Sequence, residues 1–410
     1  MKRLILIAAA ALAFFPGVEG ARSLTLGECL EMAFSGNPSL RADSINMERS
    51  RLMIGTAFDA PNTEIELSQD ATDGGGMENG LKFSQEFEFP TVYVARRKVL
   101  KADYAVARGE YAVARNELAA RVMSAYYTLL SLREKNRLLQ SLSELYERFE
   151  AQALARYNEG ETSRLEYMNA VRLNSKVKRE AAGSASEYAA AQIALMSLLG
   201  SDEPVEPADG ELTVVSAPDA GVIDPMSTPA AQVSLSELAR ARHALGAARQ
   251  DFLPGLFVSA TSQLLIKSFN PYNVPRPRFE EGNFMGFQVG ITVPLFFEAK
   301  KARLQAARRD VDMAASRIED ERNRITADFR QASIEFGNAA DNLRYYEEEG
   351  LAQASEMRRL AAVSYELDEI DYMEYIQNME TASAVEMEYI ESVDRYNQAA
   401  IRLMGIKGIL

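Results

Sequence analysis

A strand pattern that runs through a proline into a helix pattern occurs twice in this chain of 410 residues. The two copies are residues 82–97, with Pro90 at the joint, and residues 286–301, with Pro294 at the joint. Apolar residues alternate with polar or small ones at each joint, which is typical of a strand with one apolar face. They are Phe83, Phe87 and Phe89 in the earlier copy and Phe287, Val289, Ile291, Val293 and Leu295 in the later one. The chain is therefore expected to consist of two similar halves.

Two long windows contain no proline. All 14 prolines lie outside the stretch from Thr91 to Glu203 and outside the residues after Pro294. Because a proline inside a helix costs about 3 kcal/mol, both windows are free to be helical. Each holds a seven-residue apolar series: Tyr104, Tyr111, Leu118, Ala125, Leu132, Leu139, Tyr146 and Ala153, then Leu304, Val311, Ile318, Ile325, Ala332, Ala339 and Tyr346. Such heptads predict long helices that coil around partners.

Each long helix reaches a break with matching residues, because residues 157–167 align with residues 365–375. Gly160 is predicted to end the first long helix, and Ser163 and Asp371 are predicted to cap the returning helices. The returns run for about 35 residues. They are expected to end alike, at Leu198-Leu199-Gly200 and Leu403-Met404-Gly405, with about four extra residues in the second outgoing arm.

The predicted fold is a mixed α and β membrane protein with two tandem repeats of helix, strand, strand and long helical hairpin. The first repeat is 21–200, with strands at about 63–69 and 80–90 and a hairpin at about 95–200. The second is 228–410, with strands at about 255–266 and 284–295 and a hairpin at about 299–405. The linker at 201–227 contains four prolines and a short predicted strand at 212–215.

The N-terminus has the features of a secretory signal. Lys2 and Arg3 precede an apolar run at 4–15, then Pro16 and small residues, so residues 1–20 are predicted to be a signal peptide. No later stretch reaches the roughly 18 apolar residues of a transmembrane helix. A membrane, if the protein enters one, must be crossed by strands.

Composition argues against several functions. Cys29 is the only cysteine and His243 the only histidine, so a metal-ligand cluster and a His-based triad are excluded. Cys29 is expected to be buried and His243 to lie on a helix face. The net charge of −14 argues against nucleic acid as a partner. No catalytic residue, metal ligand or cofactor is predicted.

Four strands are too few to close a membrane barrel, since small barrels start at about eight. Open strand edges in lipid leave backbone groups unpaired, so several chains must share one barrel. Three chains would give twelve strands. The residues expected to face lipid are Phe83, Phe87, Phe89, Val258, Leu264, Phe287, Val289, Ile291 and Val293.

The whole pattern resembles the TolC-type outer-membrane efflux proteins. The resemblance is carried by the Leu24-Thr-Leu opening, Asn37-Pro38, the strand–proline–helix joints and the turns after Tyr157 and Tyr365. It implies a homotrimer with a twelve-stranded barrel in the bacterial outer membrane and a helical barrel in the periplasm. It also implies docking onto a periplasmic membrane-fusion adaptor and an inner-membrane pump, of the resistance-nodulation-division type or an ABC transporter.

The resemblance also implies sites. The periplasmic aperture falls on Glu374, Gln377 and Asp371, although Gln377 stands where the family has a carboxylate. The expected adaptor-docking tips are Tyr157, Gly160, Glu161, Ser163, Tyr365, Asp368 and Glu369. In the plainer alternative, the acids form a solvated helix end and the tips are ordinary hairpin loops.

Three other functions stay open at this point. A periplasmic coiled-coil adaptor or scaffold would share the helices but would have no use for strands with apolar faces. An enzyme is disfavoured because no pair of acidic residues is singled out by a motif. Within the channel interpretation, type I protein secretion is the alternative to metal or drug efflux.

Overall fold

The structure is a computed structural model that describes residues 22–71, 77–218, 221–264, 285–367 and 369–410. The predicted signal peptide lies outside these residues. The helices are α1 (Leu26–Gly36), α2 (Pro38–Met53), α3 (Pro90–Glu159), α4 (Arg164–Leu199), α5 (Pro229–Gln250), α6 (Glu298–Tyr345), α7 (Leu351–Glu366) and α8 (Tyr372–Lys407). The strands are β1 (Arg22–Leu24), β2 (Glu64–Ala71), β3 (Met77–Phe87), β4 (Val205–Pro207), β5 (Gly255–Leu264) and β6 (Met285–Thr292). The chain is mostly helical with a few strands, so the prediction that it mixes α and β structure is confirmed.

The chain forms two compact units. One comprises residues up to 42, 112–229 and 323–410, and the other comprises 43–111 and 230–322. Among the described residues, no helix combines the length and the apolar character needed to cross a membrane.

Helix α3 has 70 residues and starts at Pro90 itself. The prediction of a start at about residue 95 is therefore wrong by five residues. Proline is accommodated in the first turn, because its missing N–H would have no partner within the helix there.

The second outgoing arm starts differently, at Glu298, four residues after Pro294. Pro90 and Glu298 both lie 67 residues before the tyrosine of their turn, Tyr157 and Tyr365. The four extra residues predicted in this arm are thus residues 294–297, between strand and helix, and not part of the helix. The arm also contains a π-helical turn, Tyr346–Gly350, which separates α6 from α7.

The returning helices α4 and α8 have 36 residues each. Both end at a glycine with left-handed backbone, Gly200 (φ 66°) and Gly408 (φ 71°). The predicted end at Gly405 is wrong, because Gly405 lies inside α8 and only Gly408 adopts the left-handed conformation that terminates helices and favours glycine. From first helical residue to closing glycine, the two hairpins therefore match at a constant spacing of 208 residues.

The unit 43–111 and 230–322 contains a four-stranded antiparallel sheet in the order β2-β3-β5-β6. Two predicted strands are too long. β3 ends at Phe87 and not at 90, and β6 ends at Thr292 and not at 295. The chain at Phe87 turns directly towards the helix that begins at Pro90, which leaves no room for a longer strand.

In the other unit, the linker strand is β4, which pairs in parallel with β1. The strand predicted at 212–215 is absent. The backbone there is bonded by a side chain of α8: Val215 N–H donates to Asn397 Oδ1 (2.8 Å), and Asn397 Nδ2 donates to the Thr213 carbonyl (2.9 Å). The Asn397 side-chain amide thus forms the backbone hydrogen bonds that a neighbouring strand would otherwise provide to this segment.

Two apolar clusters of described residues lie in the same unit. One joins the linker, α3, α6 and α8 through Met123, Val215, Phe329, Ala332, Phe336, Leu343, Val393, Tyr396, Ala400, Ile401 and Leu403. The other joins α3, α4 and α8 through Tyr146, Phe149, Leu173, Val177, Tyr372 and Ile376. All residues of the two predicted heptad series are buried or half-buried. The heptad pattern thus marks the sides of α3 and α6 that pack against other elements.

Candidate functional site

One face of the four-stranded sheet is apolar on every strand. Residues paired across an antiparallel ladder project to the same side, so the register aligns Ile65 with Phe83, Phe83 with Ala260, and Ala260 with Phe287. Among the residues whose side chains the structure describes, the face comprises Ile65, Leu67, Leu81, Phe83, Phe87, Leu256, Val258, Ala260, Met285, Phe287, Val289 and Ile291, with Gln85 and Ser262 as polar members. Phe287 and Val289 are each 77% exposed. A continuous exposed apolar surface of this kind marks contact with a membrane or a partner.

Most of the predicted lipid-facing residues lie on this face. Phe83, Phe87, Val258, Phe287, Val289 and Ile291 do so, although their contact with lipid stays a prediction. Phe89 and Val293 do not belong to it, since both follow the last residue of their strand. Leu264 is the last residue of β5, and its side chain lies outside what the structure describes.

The opposite face of the sheet is polar. Lys82 Nζ lies 3.7 Å from Glu66 Oε2, and the Ser84 hydroxyl donates to Glu64 Oε2 at 3.1 Å. Phe257 is the large apolar exception, and its ring lies against Gly290, where a β-carbon would overlap it. The sheet therefore separates an apolar side from a hydrophilic side.

The first hairpin turn holds the predicted residues Tyr157, Gly160, Glu161 and Ser163. Gly160 has φ 77°, which ends α3 as predicted. The Ser163 side chain accepts from Glu166 N–H at 3.2 Å and caps α4, which confirms the predicted cap. Glu161 lies 3.9 Å from the Arg156 guanidinium.

The second turn repeats these contacts with other groups. Asp371 caps α8, since its Oδ1 accepts from Glu374 N–H at 2.8 Å, and this predicted cap is also confirmed. Glu369 accepts a hydrogen bond from the Ser364 hydroxyl at 3.1 Å. Asp368 lies outside the described residues. Adaptor docking by either turn stays a prediction.

Each turn carries a stacked tyrosine pair that the sequence interpretation missed. Tyr157 stacks on Tyr167 (centroids 5.8 Å apart, planes 11° apart), and Tyr365 stacks on Tyr375 (4.8 Å, 15°). The signal was present, because tyrosines occupy both ends of the two aligned eleven-residue segments. Ring contact brings the last turn of the outgoing helix against the first turns of the return.

The second turn also has an aromatic cluster. Tyr372 packs edge-on against Phe149 (5.6 Å, 86°), and its hydroxyl donates to the Phe149 carbonyl at 3.2 Å. Burial raises the pKa of Tyr372 well above its usual range, so the hydroxyl stays a donor at physiological pH. This contact fixes the start of α8 to α3.

The predicted aperture residues lie on the first turns of α8. Glu374 and Gln377 are exposed and three residues apart, so they lie on one side of the helix. At the spacing of 208 residues, Glu374 corresponds to Glu166, whose carboxylate accepts a hydrogen bond from Thr162. Ile370 stands in the place of Thr162. Within the described part of the chain, the Glu374 carboxylate forms no hydrogen bond or ion pair.

Cys29 and His243, the only cysteine and the only histidine, lie on different helices. Cys29 in α1 is fully buried, as predicted, and burial raises the pKa of its thiol to about 11. His243 is exposed on α5. Over the described residues, no group of three or more His, Cys, Asp or Glu side chains is arranged to hold a metal ion.

A sequence model of one protein family matches both halves. It is described as outer membrane efflux protein, and it matches residues 30–201 and again 227–408. The chain belongs to the outer membrane efflux protein family. Family members are channels and not enzymes, so this chain is not an enzyme. A search of curated protein sequences gives no significant match.

Solved structures of bacterial membrane proteins share the fold. A membrane protein from Pseudomonas aeruginosa superposes with a TM-score of 0.77 at 18% identity, covering 93% of this chain and 92% of that one. The CmeC outer membrane channel of Campylobacter jejuni gives 0.75 at 15% identity, covering 97% and 90%. The outer membrane protein VceC of Vibrio cholerae gives 0.75 at 16% identity, covering 93% and 96%. At these identities the likeness establishes the fold.

Proposed function

We propose that this outer membrane efflux protein is the outer-membrane channel of a tripartite efflux system. Three chains form a twelve-stranded barrel in the outer membrane, and their helices form a periplasmic tunnel. The tunnel receives substrate from a periplasmic adaptor and an inner-membrane pump, of the resistance-nodulation-division type or an ABC transporter. The exposed apolar face of the four-stranded sheet is the observation that carries this proposal.

The sheet's edges support the assembly of several chains. In the described residues, β2 and β6 each have a strand on one side only. Unpaired backbone groups in lipid cost several kcal/mol each, so an open four-stranded sheet is not stable in a bilayer. Pairing β2 of one chain with β6 of the next removes both edges, and three copies close the ring.

The two faces of the sheet support a water-filled interior. Transmembrane barrels have an apolar outer surface and a polar interior. Here the apolar face is exposed, whereas the opposite face has Glu64, Glu66, Lys82 and Ser84. A soluble adaptor would gain nothing from the apolar face, so the channel is favoured over the scaffold alternative.

At the periplasmic end, the proposal assigns Glu374 to the aperture. Threefold symmetry brings three Glu374 carboxylates around one axis, and such rings select cations. The turns at Tyr157–Ser163 and Tyr365–Asp371 are the proposed adaptor-docking tips. Their stacked tyrosines and caps hold them in shape without a partner.

Cysteine cross-linking tests the shared barrel. Cys29→Ser removes the only native thiol, and Ser68→Cys in β2 is then combined with cysteines placed one at a time from Gly286 to Ile291 in β6. We expect one register to give a covalent trimer on a non-reducing gel, whereas Ser68→Cys alone gives none. A protein that stays monomeric and water-soluble without detergent contradicts the proposal.

Copurification then assigns the substrate class. The channel is pulled down from chemically cross-linked cells, and the bound adaptor and pump are identified by mass spectrometry. A resistance-nodulation-division pump indicates metal or drug efflux, and an ABC transporter of the protein-exporting kind indicates type I secretion.

A further inference from the structure

Five residues, 293–297, lie between β6 and α6, and the corresponding connection in the first half is shorter. There, only two residues separate β3 from α3. In the longer connection Leu295 is 77% exposed and Phe296 is 91% exposed. Side chains of this size rarely project into water without a binding role when they are contiguous with a larger apolar surface. Its last four residues, 294–297, are called the joint segment below.

The joint segment is held in place at its end. The Phe297 ring stacks on Phe252 (centroids 6.1 Å apart, planes 10° apart), just after α5. Three residues further on, Lys300 Nζ donates to the Asp251 carbonyl at 2.6 Å. Leu295 and Phe296 therefore project from a fixed base and do not lie on a free loop.

The apolar sheet face continues towards the joint segment. Ile291 is 61% exposed at the end of β6, and Val293 is 56% exposed just beyond it. Exposed apolar side chains thus run along the chain from the sheet to Phe296. This continuity places the joint segment at the border of the proposed membrane surface.

Positive charge follows both joints, although the whole chain has a net charge of −14. Residues 96–101 contain four cations and no acid, and residues 298–303 contain three cations and one acid. Arg96 pairs with Glu88 and Lys300 donates to the Asp251 carbonyl, whereas the other five form no salt bridge with another described residue: Arg97, Lys98, Lys101, Lys301 and Arg303. All five are exposed.

The two basic clusters meet at the end of α5. The Thr91 hydroxyl at the start of α3 donates to Gln250 Oε1 at 2.6 Å, and Lys300 at the start of α6 reaches Asp251. The two helix starts that carry the cations are therefore bonded to two adjacent residues, Gln250 and Asp251. Both groups of cations thus follow helix starts that are held at the end of α5, and together they are called the basic border below.

We propose that the joint segment inserts Leu295 and Phe296 into the periplasmic leaflet of the outer membrane, and that the basic border binds anionic phospholipid headgroups. The inference rests on the proposed barrel function. Aromatic residues favour the membrane–water interface, and clustered Lys and Arg next to it are attracted to anionic lipids. The occupant of this surface is a phospholipid leaflet.

The chain contains no tryptophan, which makes the test direct. Single variants Phe296→Trp, Phe287→Trp and Tyr157→Trp are reconstituted as assembled channels in vesicles that contain lipids with brominated acyl chains. Bromine quenches tryptophan on contact, so we expect at least a twofold loss of fluorescence for Phe296→Trp and Phe287→Trp. Tyr157→Trp, at a helical turn, should keep its fluorescence.

The outcomes separate this inference from the function on which it rests. Quenching of Phe287→Trp without quenching of Phe296→Trp overturns the inference and leaves the barrel intact. Loss of quenching in both overturns the barrel as well. An unquenched, blue-shifted Phe296→Trp shows that a second copy of the chain covers the joint segment, which also overturns the inference.

Headgroup charge is tested with the same Phe296→Trp channel. Vesicles of phosphatidylcholine and phosphatidylglycerol, equal in proportion, carry the bromine on one lipid or on the other. We expect about twofold stronger quenching from brominated phosphatidylglycerol. Lys301→Gln with Arg303→Gln should abolish this preference, whereas Arg317→Gln, an exposed arginine further along α6, should retain it. If both brominated lipids quench the Phe296→Trp channel equally when Lys301 and Arg303 are intact, the proposed headgroup binding is overturned.

Discussion

The two helical hairpins have the same length and caps but different chemistry at their turns. At a spacing of 208 residues, Ser163 corresponds to Asp371 and Gly200 to Gly408, and each member of a pair does the same structural work. Yet exposed Arg164 corresponds to buried Tyr372. The two helix ends match because unpaired backbone groups constrain both of them in the same way, whereas the side chains between the ends can differ.

The outgoing arms differ in a second way. Only the second has a π-helical turn, at Tyr346–Gly350, and the corresponding residues of α3 are α-helical. The heptad series of α6 ends at Tyr346, where this turn begins. A π turn takes an extra residue and rotates the following helix face, so α7 presents a different side to α8 than a continuous helix would.

The largest expected difference in stability between the hairpins is at the first residue of each returning helix, Tyr372 in α8 and Arg164 in α4. Tyr372→Ala removes a buried ring in contact with Phe149 and should destabilise the channel by about 3 kcal/mol. The matched control Arg164→Ala changes an exposed residue and should have an effect within about 0.5 kcal/mol. Unfolding of the detergent-solubilised protein, followed by circular dichroism, measures both. Equal effects would mean that Tyr372 is not part of a core.

The second difference concerns the carboxylates at Glu166 and Glu374. A carboxylate and a cation 4 Å apart in water attract by about 1 kcal/mol, or roughly fivefold in affinity. In planar bilayers, Glu374→Ala should therefore weaken block by multivalent cations at least about fivefold, or raise conductance. Glu166→Ala should change neither, since Thr162 already binds that carboxylate. If Glu374→Ala changes neither the block nor the conductance, the assignment of Glu374 to the aperture is contradicted.

Alanine substitution of the two cap residues should reduce stability by similar amounts. Ser163→Ala and Asp371→Ala each remove a side-chain acceptor from a helix N-terminus, which typically costs about 1 kcal/mol. Ser163→Asp and Asp371→Ser should keep most of that stability, because both residue types cap well. Denaturation curves that differ strongly between the two alanine variants would show that the hairpins are less alike than their geometry indicates.

The smallest expected effect is at Glu161 and Glu369. Glu161 faces Arg156 at 3.9 Å, and both side chains are largely exposed, so Glu161→Gln should cost less than about 0.5 kcal/mol. Glu369→Gln keeps an acceptor for the Ser364 hydroxyl and should be equally mild. Raising the salt concentration should reduce the effect of Glu161→Gln and change that of Glu369→Gln much less, which distinguishes an ion pair from a hydrogen bond donated by an uncharged hydroxyl.

Local patterns predicted the parts of the molecule that local physics controls. Gly160, Ser163 and Asp371 were identified correctly because left-handed glycines and side-chain caps act within one helical turn. The helix starting at Pro90 and the end at Gly408 were misplaced. A proline can end a strand or begin a helix, and α8 could end at either Gly405 or Gly408. Only the packed structure decides which of these occurs.

The linker and the turns required contacts that are distant in sequence. The segment at 212–215 has a strand-like composition, but Asn397, more than 180 residues away, supplies its hydrogen bonds. The contact of Tyr372 with Phe149 likewise spans 223 residues. Neither spacing leaves a periodic signal, so neither contact was predictable.

The sequence by itself determined that the chain has four amphipathic strands and two long hairpins, because alternation, heptads and caps are set by neighbours along the chain. Only the tertiary structure decided that all four strands present their apolar residues on one face of one sheet. Strand register depends on pairing between β3 and β5, which lie far apart in sequence, and a slip of one residue would turn a strand's apolar side chains to the polar side.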